Sequence, residues 1–304
     1  MSNRKSLIEI PPLKKRASQE AKCRRAKQEL LKPLGLPVEL PKEWAQQAHD
    51  KMAELLDKHR SLRLFLDTCV HCGACADKCQ FFLGTGDPKN MPVARADLLR
   101  RLYRLHFTPT GLLRTLLRGK PAITEADIEE LYTYFYQCSE CRRCSVFCPY
   151  GIDTAEITMA AREILASIGV ATKYVTEVIK KVYDVGNNLG IPEAAWRHSC
   201  SFLEEELKEE TGKDIRIPVN EKGAEILLVP PSADLFTNMD TMIGYAKLFH
   251  AAGLSWTTSS YASEAGNFGL FLNYEHMKKV NRRIVDAARD LGVKRIVMGE
   301  CGHA

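Results

Sequence analysis

The chain of 304 residues lacks any long hydrophobic run. No segment approaches the roughly 20 apolar residues that a bilayer-spanning helix needs, so we expect no part of it to cross a membrane. The basic N-terminal residues are not followed by an apolar stretch, so a secretory signal peptide is not expected either. The chain also has no convincing Gly-rich dinucleotide fingerprint, and therefore gives no reason to expect a hydride-carrying cofactor.

Acidic residues are scarce in the first half of the chain. Residues 1–150 contain 26 Lys and Arg against 17 Asp and Glu, whereas residues 151–304 contain 17 against 21. A basic half suggests an acidic partner or an anionic surface, although a solvated charged face is the simpler interpretation. Because the chain has neither a recognition-helix motif nor an RNA-binding motif, no nucleic-acid partner is expected.

Cysteine, by contrast, is abundant, with eleven in the chain. Eight of them form two runs with the spacing C-x2-C-x2-C-x3-C, and the others are Cys23, Cys200 and Cys301. The first run is Cys69, Cys72, Cys75 and Cys79, and the second run is Cys138, Cys141, Cys144 and Cys148. In such runs three thiolates converge on one [4Fe–4S] cube and the fourth reaches the other cube. The spacing therefore predicts one cluster on the first three cysteines of the first run with Cys148, and a second cluster on the first three of the second run with Cys79.

Zinc and disulfides are the alternatives for so many cysteines. Zinc prefers two C-x2-C pairs a dozen or more residues apart and needs four ligands per ion, which suits two four-cysteine runs less well. Cysteines this crowded cannot all adopt disulfide geometry with one another. His71 lies inside the first run, but the cysteines already complete the ligand count. Gln80 stands where such a run usually has proline, which shapes the turn and is not a ligand.

Composition and helical periodicity divide the rest of the chain. Residues 1–40 are predicted to form a basic flexible arm, residues 41–168 a helical ferredoxin-type domain, and residues 169–222 a helical connector. The 58 residues between the cysteine runs contain one amphipathic helix, whose polar side is expected to carry Arg95, Arg100, Arg101 and Arg104. Within the second run, Arg142 and Arg143 are the charges expected to tune a cluster's reduction potential.

The period of the hydrophobic residues changes in the last part of the chain, residues 223–304. Short apolar strands are predicted at 225–229, 256–260 and 295–298, with amphipathic helices at 239–252 and 273–291. Alternating strands and helices of this kind predict a parallel α/β layer.

A helical two-cluster ferredoxin followed by such an α/β segment resembles the heterodisulfide-reductase-like iron–sulfur proteins. That family also includes the iron–sulfur subunits of glycolate and lactate oxidation. The stretches SEAGNFGL at 263–270 and GECGHA at 299–304 are most similar to the K-type subunits of Dsr membrane complexes. The resemblance implies that residues 223–304 are the first half of a cysteine-rich, CCG-type α/β domain and that the chain is an N-terminal fragment.

The resemblance also shows where cysteines are missing. Each half of the family's cysteine-rich domain has an early cysteine, a Cys-Cys-Gly and a final Cys-x-x-Cys. Here Ser232, preceded by two prolines, stands for the early cysteine, Ser263-Glu264 stands for the pair, and only Cys301 remains. One thiolate cannot hold a cluster, so this half is expected to bind none. A catalytic [4Fe–4S] cluster is expected only in a longer chain, and Cys301 is the one candidate for a catalytic residue in this one.

For function, the resemblance implies an oxidoreductase subunit of dissimilatory sulfur metabolism that relays electrons through two [4Fe–4S] clusters. Its implied partners are a quinol-oxidising, cytochrome b-type membrane subunit, further complex subunits and a small sulfur-carrier protein whose disulfide or trisulfide is reduced. The implied location is cytoplasmic, and the protein would be held at the inner membrane by these subunits.

One alternative function is that of the relay subunit of a glycolate- or lactate-type dehydrogenase. A second is a non-enzymatic, zinc- or cluster-dependent nucleic-acid-binding protein. A fumarate-reductase-type subunit is excluded, because residues 1–68 contain only Cys23 and so lack a plant-type [2Fe–2S] motif.

Overall fold

The computed structural model describes residues 24–118, 123–264 and 267–299. The chain separates into two compact units. Of the described residues, the first unit contains 43–118 and 123–165, and the second contains 24–42, 166–264 and 267–299. Every cysteine of the two runs lies in the first unit, and the parallel strands lie in the second.

Residues 24–40 are folded into the second unit, and the prediction of a flexible arm is wrong for them. They include the short helix α1 (Gln28–Leu31) and lie beside the segment after residue 170, where the Lys173 amide donates to the Arg24 carbonyl at 2.7 Å. Leu31 and Leu34 are each only 3% exposed and join an apolar cluster with Ile179. Their burial outweighs the preference of the neighbouring basic residues for water. The arm's first 23 residues lie outside the described part of the chain.

The first unit is helical. Its helices are α2 (Trp44–Lys58), α3 (Arg60–Thr68), α4 (Gln80–Thr85), α5 (Pro92–His106), α6 (Pro109–Arg118), α7 (Glu125–Tyr136), α8 (Arg143–Val146) and α9 (Thr154–Ser167), which ends in the second unit. A capping box begins α7, with the side chains of Thr124 and Asp127 each accepting a hydrogen bond from the other's backbone amide. The core is aliphatic and aromatic, and its fully buried side chains include Leu55, Leu66, Leu99, Phe135 and Ile157.

The second unit continues with helices and then a small sheet. Its elements are α10 (Lys173–Val185), α11 (Glu193–Thr211), β1 (Ile226–Val229), α12 (Ser232–Phe236), α13 (Met239–Ala251), β2 (Trp256–Thr258), α14 (Asn267–Leu270), α15 (Tyr274–Leu291) and β3 (Arg295–Met298). The parallel α/β layer predicted for this part of the chain is confirmed over the described residues, with strand order β2-β1-β3.

Strand β1 is the centre of this layer, and apolar side chains cover both of its faces. Ile226 and Leu228 pack in a cluster with side chains of α11 and α13, such as Trp196 and Met242. Leu227 and Val229 point the opposite way into a cluster with side chains of α15. A strand buried on both faces needs a continuous apolar run, which explains why β1 reads ILLV without alternation.

No helix within the described ranges combines the length and the hydropathy that crossing a membrane would require.

Candidate iron–sulfur centre

The two cysteine runs form matching loops in the first unit. Cys69 follows the end of α3, and Cys138 follows α7 after one residue. In both loops the residues two and four positions after the first cysteine have a left-handed backbone. In the first loop these are His71 and Gly73, at φ +58° and +79°, and in the second loop they are Glu140 and Arg142, at φ +55° and +57°. The same backbone path is therefore built twice, although the side chains along it differ.

This backbone path is costly for residues other than glycine. A left-handed residue with a Cβ atom costs roughly 1–2 kcal/mol, and such strain concentrates at functional sites. Of the four non-glycine residues with positive φ in the described chain, three lie in these loops. One consequence is visible at Cys138, whose Sγ accepts a hydrogen bond from the Glu140 amide at 3.4 Å.

The cysteines line two cavities. The first cavity, with about 440 Å³ of atom-free space partly open to solvent, is bordered by Cys69, Cys72, Cys75, Cys144 and Cys148. The second cavity, with about 350 Å³ of such space, is bordered by Cys79, Cys138, Cys141 and Cys144. The structure thus brings Cys148 beside the first three cysteines of the first run and Cys79 beside those of the second run. Cys144 borders both cavities.

Other contacts and charges follow the same grouping. Burial raises the pKa of the Cys75 thiol, and the nearby Cys69 and Cys148 add to that rise. Burial likewise raises the pKa of Cys144 to about 11. Gln80, which replaces the usual proline, donates from its side-chain amide to the Ser139 hydroxyl at 2.9 Å and so links the end of the first run to the second loop.

Apart from His71 at the first cavity and Glu140 at the second, the His, Cys, Asp and Glu side chains that border these cavities are cysteines. The Nε2 of His71 lies 2.9 Å from the carboxylate of Asp97. No group of three or more His, Cys, Asp or Glu side chains in the described chain converges tightly enough to hold a single metal ion. Thiols spaced around a cavity of this size are the donor set that an iron–sulfur cluster uses, and the residues present fit that kind of group.

Two arginines of α5 are buried beside these loops, which corrects the prediction that they lie on a polar helix face. Arg95 and Arg100 are each 1% exposed, whereas Arg101 and Arg104 are exposed as expected. The Arg100 Nε donates to the Leu66 carbonyl at 2.8 Å, close to the start of the first loop. These two side chains are buried because loops and helices surround α5 on both sides.

A chain of side chains connects Arg95 with the second loop. Its guanidinium donates to the carbonyl and the side-chain oxygen of Asn90, at 3.2 and 3.1 Å. The Asn90 side-chain amide in turn donates at 2.8 Å to Gln137, the residue before Cys138. Sequence reasoning had given Arg95 and Arg100 no role at the site.

A third buried arginine holds the second loop from α9. Arg162 is 3% exposed and donates to the carbonyls of Phe135, at 2.9 Å, and Cys138. It also lies 2.7 Å from the carboxylate of Glu140. Burial raises the pKa of Glu140, because desolvation outweighs the attraction of Arg162.

The arginines that the sequence nominated for tuning a cluster are on the surface. Arg142 and Arg143 are both exposed, and the Arg142 Nε pairs with Asp153 at 3.0 Å. Solvent screens such charges, so their influence on a nearby group is weaker than that of the buried arginines.

The positions that stand for cysteines in the second unit also lie together. Ser232 follows β1, and its amide donates at 3.0 Å to the carboxylate of Glu264, which follows β2. The Asn188 amide donates to the same oxygen at 3.2 Å, and the Ser232 hydroxyl donates to the Asn188 side chain at 2.6 Å. Glu264 is 2% exposed, and burial raises its pKa. Carboxylate and hydroxyl groups therefore occupy this end of the strands.

The remaining cysteines contribute no ligand to these cavities. Cys200 lies in the apolar core of the second unit, where burial raises its pKa to about 12, as expected of a structural thiol. Cys23 and the catalytic candidate Cys301 lie outside the described residues.

Comparison with known proteins agrees with the cysteine spacing. The family model of the 4Fe-4S dicluster domain matches residues 65–152, the part that contains both runs. Iron–sulfur chemistry is thereby favoured over the zinc alternative. No solved structure is detectably similar to the chain.

Several curated relatives are heterodisulfide-reductase-like proteins. The Hdr-like menaquinol oxidoreductase iron-sulfur subunit 2 of Archaeoglobus fulgidus is 47% identical over 272 residues, which cover 88% of this chain and 49% of the relative. The Hdr-like menaquinol oxidoreductase iron-sulfur subunit of Archaeoglobus profundus is 45% identical over 270 residues, which cover 87% of this chain and 48% of the relative. One component of the dihydromethanophenazine:CoB–CoM heterodisulfide reductase of Methanosarcina barkeri is 30% identical over 105 residues, 34% of this chain and 25% of the relative.

The chain spans about half the length of the first two relatives. Over that half the similarity extends through both described units and includes the complete dicluster domain. The resemblance suggested by the two-cluster ferredoxin together with the α/β segment is confirmed, and the chain belongs to the heterodisulfide-reductase-like iron–sulfur proteins.

Proposed function

We propose that the chain is the electron-relay part of a heterodisulfide-reductase-like oxidoreductase and holds two [4Fe–4S] clusters. The observation that carries this proposal is the pair of cavities, each of which is bordered by the first three cysteines of one run and the last cysteine of the other, with Cys144 at the border of both. Cluster 1 would be held by Cys69, Cys72, Cys75 and Cys148, and cluster 2 by Cys138, Cys141, Cys144 and Cys79. When bound, such clusters accept and donate single electrons.

The protein residues supply position and charge. The left-handed turns in the loops direct three thiols of each run into one cavity, and the Gln80–Ser139 hydrogen bond keeps Cys79 beside the second loop. Arg95, Arg100 and Arg162 bury positive charge next to thiolates that are negative once deprotonated. Cys72 and Cys141 are exposed, so each site has one side from which a partner can exchange electrons.

The names of the relatives support a direction for the electrons. Two are called menaquinol oxidoreductase subunits and a third is named as a subunit of a heterodisulfide reductase, which supports a quinol at one end of the proposed relay and an S–S bond at the other. We extend this to a relay from a cytochrome b-type membrane subunit towards a disulfide or trisulfide on a small sulfur-carrier protein. These names favour the quinol-linked role over the glycolate- or lactate-linked alternative.

In this proposal the protein is cytoplasmic and is held at the inner membrane by its partner subunits. The site of S–S reduction, with its own [4Fe–4S] cluster, would lie in the half of the relatives that this chain does not span. The serine and glutamate at the strand ends support that assignment, because hydroxyl and carboxylate oxygens are poor ligands for an iron–sulfur cluster.

The experiment is iron and sulfide analysis of the anaerobically purified chain, with electron paramagnetic resonance (EPR) of the reduced protein. We expect about eight irons per chain for two four-iron clusters. Cys148→Ser should leave the same residual spectrum as Cys69→Ser, whereas Cys79→Ser should match Cys138→Ser, because each pair removes one cluster. Cys200→Ser is the matched control and should retain full iron. Stoichiometric zinc without iron would contradict the proposal, and a Cys148→Ser spectrum that matches Cys138→Ser would contradict the ligand sets.

A further inference from the structure

We propose that Arg95 and Arg100 are tuning residues, each donating a hydrogen bond from its guanidinium to a sulfur of one cluster and raising that cluster's reduction potential. Arg100 would serve cluster 1 and Arg95 would serve cluster 2. This inference rests on the proposed function, because it assumes that the two cavities hold [4Fe–4S] clusters.

The first observation is that each arginine has a buried nitrogen without a partner. In the described part of the chain, the Nε of Arg95 and the Nη2 of Arg100 have no hydrogen-bond acceptor and are shielded from solvent. A buried charged donor that is left without an acceptor destabilises the folded protein. Native structures contain few such atoms, and an acceptor absent from the protein itself is one explanation.

The second observation is where these side chains lie. Arg100 lines the first cavity together with the four thiols assigned to cluster 1, and Arg95 lines the second cavity together with those assigned to cluster 2. Each cavity thus has one of the two arginines with an unpaired donor. The bridging sulfides and cysteine sulfurs of a cluster are acceptors of the right charge for these donors.

The third observation is that the other nitrogens of both side chains are anchored. Arg100 is held by the Leu66 carbonyl and by Asp97, and Arg95 is held by two oxygens of Asn90. A guanidinium is planar, so fixing some of its N–H groups also fixes the direction of the rest. The unpaired donors are therefore held in place before a cluster is present.

The effect on potential follows from charge. Reduction adds an electron to a cluster that is already anionic, so a hydrogen-bond donor with positive charge stabilises the reduced form more than the oxidised form. The two arginines differ in one respect. Asp97 pairs with Arg100 and offsets its charge, whereas Arg95 is anchored by a neutral amide and has no ion-pair partner among the described residues. We therefore expect the larger effect at cluster 2.

The test uses Arg95→Met and Arg100→Met in the full chain with intact clusters, each titrated by redox potentiometry with EPR detection. Arg95→Met should lower the equilibrium constant for reduction of one cluster at least tenfold, a shift of about 59 mV for one electron. Arg100→Met should lower that of the other cluster by a smaller factor. The control is Arg101→Met, which removes an exposed arginine of the same helix that pairs with Asp127, and it should move neither potential.

A second readout does not depend on any variant folding. The wild-type chain, produced with arginine that carries ¹⁵N in its guanidinium, should show ¹⁵N hyperfine coupling to each reduced cluster in pulsed EPR. Arg95→Lys and Arg100→Lys keep the charge but lack these nitrogens, so each should lose the coupling of one cluster only.

The outcomes separate the two proposals. Absence of iron in the wild-type chain would overturn the proposed function. Intact clusters without ¹⁵N coupling in the wild-type chain, unchanged potentials in both methionine variants, or an equal shift in Arg101→Met would overturn the tuning role alone. If a methionine variant fails to assemble its cluster, the wild-type coupling decides.

Discussion

The two units of the chain satisfy their buried charged groups in different ways. The first unit buries three arginines around its cysteine loops, each 3% exposed or less. In the second unit the ends of the strands bury Glu264, which is satisfied by the amides of Ser232 and Asn188. Buried cations next to thiols are stabilised by an anionic cluster, whereas a carboxylate that already accepts backbone hydrogen bonds needs no further group. The first unit thus leaves nitrogens of Arg95 and Arg100 without an acceptor beside its thiols, whereas the second unit satisfies Glu264 with its own backbone amides.

Removal of iron should produce the largest difference in stability between the two units. Anaerobic chelation should strip amide-exchange protection from residues 65–152 and leave the strands of the second unit protected. The reason is that structural metal sites contribute on the order of 10 kcal/mol to the folding of the segment that binds them. Hydrogen exchange followed by mass spectrometry measures both regions in one sample. Equal loss of protection in β1 would show that the second unit also depends on iron.

Arg162→Met should have the next largest effect. The substitution leaves Glu140 buried without its partner, at a cost of about 3–5 kcal/mol to the stability of the first unit. Denaturant unfolding of the cluster-loaded chain measures the loss. The double variant Arg162→Met/Glu140→Gln should recover part of it, because no buried charge remains unpaired. A single variant as stable as the wild type would mean that the pair does not hold the loop.

Acid should destabilise the second unit through His276. Burial, together with the charge of Lys279, lowers the pKa of His276 to about 4, and the Tyr183 hydroxyl contacts its Nδ1 at 2.6 Å. The unfolded chain therefore takes up this proton more readily than the folded one. The free energy of unfolding of the second unit should be highest above pH 6.5. It should decrease towards pH 4, by up to about 3 kcal/mol.

The measurement is the unfolding free energy of the second unit between pH 4 and 7. His276→Gln should flatten this part of the pH profile, and His250→Gln, at an exposed site of the same unit, should not change it. An unaltered slope in the His276 variant would assign the acid sensitivity to other groups.

The smallest expected effect concerns the repeated backbone path of the loops. Gly73→Ala should cost roughly 1–2 kcal/mol, because φ is +79° there and a new Cβ would meet no atom within 4 Å that could compensate. Gly84→Ala is the matched control, since this glycine lies inside α4 with open space around it and should gain about 1 kcal/mol of stability. Thermal unfolding measures both. A loss of stability in Gly73→Ala together with a gain of stability in Gly84→Ala would show that the backbone conformation at each glycine alone decides the sign of the change.

The sequence predicted which cysteines border the same cavity better than it predicted the residues around them. Cysteine spacing predicts the positions of the thiols because a step of three residues along the loop places the next cysteine at the same cavity. The continuous apolar runs predict the strands. The burial of Arg95 and Arg100 was missed because charged residues were assigned to water as a class. A signal was present, since Arg95 precedes Leu99 and Leu102 by four and seven residues and so shares their buried stripe. Arg100 lies in the same way between Ala96 and Tyr103.

Residues 24–40 were misassigned for a related reason. Their basic residues and prolines indicated a mobile segment, and the contribution of Leu31 and Leu34 depends on partners more than 130 residues further along the chain. Nothing in local composition reports such distant partners, so only the folded chain reveals them.

Helix α5 has one more consequence, for the speed of electron transfer. It contributes Arg95 to one cavity and Arg100 to the other, five residues apart, which corresponds to about 7.5 Å along a helix axis. Because a helix is stiff, α5 holds the two cavities at a constant spacing. The tunnelling distance between bound clusters would then stay constant while loops and partners move. In the proposed relay, the rate of electron transfer between the two clusters would then vary little with the movements of the surrounding loops.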